Sequence, residues 1–431
     1  MQAIYFFTAA SLPGLFYLWP ANFNAQFMHL SFSIARIPFF KLYFVTMVVA
    51  IAFQLQPFIS QAQVVTGAER TDEYLPLLQG KNIALVVNQT SVVGKKHLVD
   101  TLLDHGIRIK KIFAPEHGFR GDADAGEEIN SSIDVKTKIP IVSIYGQRTK
   151  PTPEDLGGID LLVYDIQDVG VRFYTYVSTL HYVMEACAEN NIPLMLLDRP
   201  NPNGHYVDGP VLDSAFASFV GVDRVPVVYG MTPAEYARML NGEQWLKSKA
   251  TCMLSYVACT GYDHKTFYSL PVNPSPNLRS MTAIYLYPSV CFFEGSPVSV
   301  GRGTALPFML IGYPGFKNGN TTFKPLSLPG AKNPPYLNQE CEGLNLSGLN
   351  TGYFREQPHL MLHWLLSMYD SYPEKDKFFT PFFDKLAGTD QLRKQIVQRL
   401  PEMEIRRSWE PALSQFKKIR KKYLLYPDFN E

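Results

Sequence analysis

Between residues 83 and 197 five short apolar runs recur, at 83–87, 111–114, 141–144, 161–164 and 194–197, with amphipathic segments between them. Apolar runs of that length suit strands buried on both faces. The segment 97–106 has helical period and closes at Gly106, and 176–191 carries Leu180, Val183, Met184 and Cys187 on one face. Strands that alternate with helices need crossover connections and therefore make a parallel sheet. Thr232-Pro233-Ala234-Glu235 joins a cap, a proline at the first helical position and an acid three residues after the cap, which starts a helix over 232–246. Residues 251–257 read as one more strand. The predicted fold class is α/β, a Rossmann-like open parallel sheet with helices on both faces. After residue 270 the alternation stops, Pro271, Pro274, Pro276 and Pro288 arrive in quick succession, and helical pattern returns only at 359–370, 389–400 and 408–425. The expected organisation is a leader at 1–62, a Rossmann-like domain at 63–270 and a smaller auxiliary α+β domain at 271–431.

The leader stands apart because residues 1–62 contain no Asp or Glu, and Arg36 and Lys41 are their only charges. The apolar run 42–55 is shorter than the roughly 20 residues a bilayer requires and has the length of a signal-peptide hydrophobic region. Ser60 and Ala62 place small residues at −3 and −1, which predicts cleavage after Ala62, a secreted or periplasmic location and no stable membrane anchor afterwards. The whole chain has 40 Lys+Arg and 39 Asp+Glu; without the leader it would have 38 and 39. So even a balance offers no basic field for nucleic acid. The cluster Lys417, Lys418, Arg420, Lys421 and Lys422 accordingly reads as a solvated helix face. A hydrophobic content of 46% excludes a disordered chain. Five widely spaced cysteines make neither a disulfide framework nor a zinc pattern, and only Cys252 and Cys259 are close enough in sequence to suggest a bridge.

Ligands of open parallel sheets bind outside the carboxyl ends of the strands. The residues that follow the five runs are Asn88; then Glu116, His117, Gly118 and Arg120; Tyr145; Asp165, Asp168, Arg172 and Tyr174; and Asp198, Arg199 and Asn201. No G-x-G-x-x-G follows the first strand, and neither G-x-x-x-x-G-K-[ST] nor G-x-S-x-G occurs, so no dinucleotide, triphosphate or nucleophile-elbow chemistry is expected. His359 and His363 lack the glutamate of a zinc-protease helix, and no cofactor or metal is expected. What remains is carboxylates. Glycoside hydrolysis needs one carboxylic acid to protonate the leaving oxygen, and usually a second carboxylate. Glu116 is the best acid, because a half-buried carboxyl after an apolar strand keeps a proton more readily than an exposed one. Asp165, Asp168 and Asp198 compete for the second role. Tyr145 and Tyr174 could hydrogen-bond substrate. Two rival readings use the same residues: a metal-dependent hydrolase of a sugar ester or amide with Asp165, Asp168, His117 and Asp198 as ligands, and a sugar-binding protein without chemistry.

The segments NQT, FAPEHGFRG, SIYG, DIQDVGVRFYTY, LDRPNPNG, VYGMTPAEYA, VSVGRGT and IRKKYLLY occur in that order over 67–426. Together they resemble the YbbC/NamZ family of exo-acting β-N-acetylmuramidases. The resemblance implies release of N-acetylmuramic acid from the non-reducing ends of peptidoglycan fragments, with muropeptides or disaccharides as partners and the active site in a cleft between the two domains. It also implies that Glu116, the glutamate of PEHG, is catalytic. It carries over no second catalytic residue, so Asp165 and Asp168 remain the expected assistants. N-acetylmuramic acid bears a lactyl carboxylate, and a guanidinium can bind a carboxylate through two parallel hydrogen bonds. Arg120, Arg172, Arg199 and Arg302 are the candidates; Gly301 and Gly303 would let the Arg302 loop close over the cleft. Asn88, His117, Tyr145, Tyr174, Asp198 and Asn201 complete the expected substrate-binding set.

Overall fold

A computed structural model describes residues 63–120, Asp124, Glu127 and 131–429. The leader and its cleavage site after Ala62 lie outside the described residues. A seven-stranded sheet forms the centre, from β1 (Asn82–Val87), β2 (Arg108–Ala114), β3 (Ser132–Ile133), β4 (Pro140–Ser143), β5 (Leu161–Asp165), β6 (Leu194–Leu197) and β7 (Leu254–Val257). Its order is β3-β4-β2-β1-β5-β6-β7. Every neighbouring pair is parallel except β3 with β4, so the short edge strand 132–133 departs from the all-parallel expectation. Its two exposed residues carry no apolar run that could announce a strand.

Alternate residues of the strands face opposite sides, and the two faces bury two separate cores. Ile83, Leu85, Val87, Ile112 and Val163 pack with helices α1 (Thr71–Leu78) and α2 (Leu98–Asp104). Ala84, Val86, Phe113, Leu162 and Tyr164 pack with α3 (Tyr176–Asn190) and α4 (Pro233–Gly242). Thr232 caps α4 as its sequence requires, accepting from the Glu235 amide while Glu235 bonds back. The helix ends at Gly242, four residues short of the expectation.

The second core continues across residue 270 into α5 (Met281–Val290), α6 (Leu362–Ser371), α7 (Gln391–Val397) and α8 (Glu402–Arg420) without a break. A small antiparallel sheet, β8 (Leu310–Tyr313), β9 (Thr321–Phe323) and β10 (Cys341–Asn345), supplies the strands of this later part. Arg420 corrects the reading of the basic cluster: it is fully buried and holds the Gly230 carbonyl and both oxygens of Asp428. All five cysteines are buried free thiols, and Cys259 donates to the Asp198 carbonyl instead of bridging Cys252. Among the described residues no helix is long and apolar enough to cross a membrane.

His181 on α3 is clamped between Asp223 at 2.9 Å and Glu185 at 3.2 Å. Burial works against its cation, but the two carboxylates push its pKa up to about 9. A base whose folded pKa exceeds its unfolded value stabilises fully below the unfolded value of 6.5, and loses that contribution as pH rises through about 9. His181→Gln should therefore cost about 3 kcal/mol near neutral pH, where it takes the shared cation from two buried carboxylates and leaves Asp223 with the Tyr236 hydroxyl and Glu185 with the Lys247 amide and Lys150, and clearly less near pH 9.5. Urea unfolding of both proteins at the two pH values checks it; an equal cost at both would contradict the clamp.

Candidate active site

The chain reverses sharply where β2 ends. Pro115 accepts a hydrogen bond from the Gly118 amide, and His117 and Gly118 both take left-handed backbone, with φ of 67° and 79°. Glycine is the residue normally found at the His117 position of such a turn, because a side chain there costs on the order of 1 kcal/mol. The turn holds Glu116 over the carboxyl edge of the sheet. Its Oε1 accepts from the Tyr145 hydroxyl at 2.9 Å and its Oε2 from the Thr175 hydroxyl at 2.5 Å. Tyr145 follows β4, and Thr175 stands at the start of α3. Three strand ends thus converge on one carboxyl group.

Glu116 lines a cavity of about 830 Å³ together with His117, Tyr145, Tyr174, Thr175 and Phe219 from the sheet side. Glu294, Arg302, Phe308, Lys332 and Phe382 line it from the later part of the chain. Tyr174 is buried and ties its hydroxyl to the Pro274 carbonyl at 2.7 Å, so it contributes a ring face. Arg302 Nε donates to Glu294 Oε1 at 2.6 Å, and the guanidinium lies 5.0 Å from the centre of the Phe308 ring. Burial opposes the Arg302 charge, but Glu294 outweighs it, so the group holds its proton more tightly than an ordinary arginine. Gly301 and Gly303 have φ of 74° and 78°, and a Cβ on Gly303 would sit 2.5 Å from the Leu326 carbonyl oxygen. Their permissiveness shapes a fixed turn here. Lys332 bonds both oxygens of Glu127, at 2.9 and 3.0 Å.

The other expected site residues stand behind the wall of the cavity. Asp165 is fully buried in a two-pronged pair with Arg199, at 2.5 and 2.9 Å. Asp168 accepts from the Gly170 amide and the Tyr229 hydroxyl through Oδ1, while Oδ2 has no hydrogen-bond partner. Asp198 caps α4 through Ala234 and Thr232 and also accepts from Tyr426. Burial pushes the pKa of both Asp168 and Asp198 up to about 7. Arg172 gives its guanidinium to the carbonyls of Pro210, Val225, Leu386 and Ala387. Asn88 folds back on Thr90, and Asn201 bridges Met231 and Asn203. Arg120 pairs with Asp134 at 2.6 Å beside a neighbouring groove. Of the four arginines, then, only Arg302 lines the cavity. Asp165, Asp168 and Asp198 are engaged separately, and among the described residues no group of three or more His, Cys, Asp or Glu is placed to hold a metal. The metal-hydrolase reading therefore loses its ligand set.

The family model for the N-terminal part of exo-β-N-acetylmuramidase NamZ matches residues 83–282, and that for its C-terminal part matches 285–426. The chain belongs to the NamZ family. It is 40% identical over 373 residues to the peptidoglycan β-N-acetylmuramidase NamZ of Bacillus subtilis strain 168, covering 82% of this chain and 89% of that one. Among solved structures it resembles a DUF1343 family protein of Bacteroides fragilis at 47% identity and a TM-score of 0.80, covering 85% of this chain and all of that one. A second B. fragilis protein of that family matches at 28% identity and a TM-score of 0.71, covering 84% and 99%. Within the NamZ fold, sequence reasoning missed Thr175 and Glu294. Thr175 lies between Tyr174 and Tyr176 in DIQDVGVRFYTY, where a lone hydroxyl has no distinguishing pattern; Glu294 sits in a short 3-10 turn, Cys291–Gly295, that has no periodic signal.

Asp168→Asn separates structure from chemistry. The amide oxygen can still accept from Gly170 and Tyr229, so the variant should keep most of its kcat/KM. Wild type loses stability as pH rises from the unfolded value of 3.8 through about 7, because burial disfavours the carboxylate, whereas asparagine does not titrate. The stability difference should therefore move in favour of the variant between about pH 5 and about pH 8. Kinetics combined with urea unfolding at both values test this, and a loss of turnover beyond about 100-fold in a folded variant would return Asp168 to the catalytic set.

Proposed function

We propose that Glu116 is the proton donor with which this exo-β-N-acetylmuramidase releases N-acetylmuramic acid from the non-reducing ends of peptidoglycan fragments. The observation that carries the reading is the fixed Glu116 carboxyl in the cavity wall, with one hydroxyl on each oxygen. As the glycosidic C–O bond breaks, the carboxyl proton passes to the leaving oxygen, which takes the electron pair of the bond; a water oxygen bonds to the anomeric carbon, and the proton that water gives up restores the Glu116 acid. Tyr145 and Thr175 fix the direction of transfer. A threonine hydroxyl can accept as well as donate, so the carboxyl can carry its proton without giving up the Tyr145 bond.

Asp165 and Asp168 assist by holding the loop after β5 in place, from behind the wall. Among the described residues, the further carboxylates lining the cavity are Asp124, Glu127 and Glu294. Lys332 occupies the first two through its backbone amide and its ammonium, and Arg302 occupies the third. The acid-free apolar leader of residues 1–62 supports export to the compartment where peptidoglycan is found.

Glu116→Gln keeps the size of the side chain and removes the transferable proton. It should lower kcat/KM for release of N-acetylmuramic acid from a disaccharide by about 10²- to 10⁴-fold, with an unchanged melting temperature. Turnover equal to wild type would end the assignment.

A further inference from the structure

N-acetylmuramic acid differs from N-acetylglucosamine only in the lactyl ether on O3, which ends in a carboxylate. Apolar contact with a few extra carbon atoms discriminates weakly, by about 10- to 200-fold, and an unpaired carboxylate in a half-enclosed cavity is costly. A site that selects this sugar needs a cation with donors to spare. Among the described lining residues the cationic side chains are Arg302 and Lys332. Lys332 is exposed, and its ammonium is already shared between both oxygens of Glu127.

Arg302 is different. Its Nε is engaged by Glu294, and neither Nη has a hydrogen-bond acceptor among the described residues. The side chain is about five-sixths buried, at 17% exposure, against the Phe308 ring. Glu294 takes one edge of a planar group that has five donors, and this fixes the plane while leaving the other edge to the cavity. The closely packed Gly301–Gly303 turn places its root.

Resting on the muramidase reading, we propose that Arg302 is the carboxylate receptor of the cleft: its two Nη groups take the lactyl carboxylate, and this fork distinguishes N-acetylmuramic acid from N-acetylglucosamine. Glu294 is then a positioning residue that acts through Arg302. Lysine at 302 would keep the charge and lose the fork.

The test uses the full-length chain as Glu116→Gln, so that binding is read without turnover. N-acetylmuramic acid, its lactyl methyl ester and N-acetylglucosamine are titrated calorimetrically into Glu116→Gln, then into the same protein carrying Arg302→Met or Arg302→Lys. In the single variant the free acid should bind about 10- to 100-fold more tightly than the other two ligands, the range for hydrogen bonds between charged groups. Arg302→Met should abolish that preference and leave the ester and N-acetylglucosamine within about threefold, and Arg302→Lys should fall between. A preference that survives Arg302→Met, or an equal loss for all three ligands, overturns the proposal. If the methionine variant fails to fold, the lysine variant decides: undiminished preference or uniform loss counts against the receptor. Release of N-acetylmuramic acid by wild type is measured alongside. Its absence, with no sugar bound by any variant, sinks the muramidase reading and this proposal with it.

Discussion

The buried guanidinium of Arg172 joins the part of the chain that makes the sheet to the part that closes the cleft. Among the described residues it has no carboxylate partner. It is held instead by four backbone carbonyls at 2.7–2.9 Å, two from the strand-end loops at Pro210 and Val225 and two from Leu386 and Ala387. Burial without a counter-ion lowers its pKa to about 9. Gly388 lies so close that a Cβ there would be 2.6 Å from Nη2, and Gly221 packs along the same side chain. Leu386 itself lines the cavity, so this polar knot behind the wall fixes the distance between its two sides. A carbonyl cage is direction-sensitive in a way that apolar packing is not.

The cleft inside that frame is electrostatically economical. Each cationic side chain that faces it is paired with a carboxylate, Arg302 with Glu294 and Lys332 with Glu127. Glu116 accepts from two hydroxyls, which direct the group. Charge in the cleft is thus distributed by sector, with the Glu116 carboxyl on the sheet side and the two paired cations on the other.

Much of this could be seen in the order of residues alone. Apolar runs of four or five located five of the six parallel strands of the sheet to within a few residues, and the polar segments after them located the edge where Glu116 and Tyr145 meet. The misplacements share a cause. Asp165, Asp168, Asp198, Arg172 and Arg199 also follow strands, but a polar group at a strand end can face the ligand or hold its own loop, and both uses look alike in one dimension. The strand-end loops are long and buried, so their backbone groups consumed most of the polar side chains. Thr175 and Glu294 were illegible for the opposite reason. A hydroxyl at a helix start and an acid in a 3-10 turn have ordinary structural roles, and only the closing of the chain sets them beside Glu116 and Arg302 respectively.

The left-handed backbone at His117 has an evolutionary corollary. Glycine would relax that turn, so an imidazole there carries a standing conformational cost. Selection for heat resistance alone would drift this position towards glycine or asparagine, whereas selection for turnover has reason to keep the ring that lines the cavity.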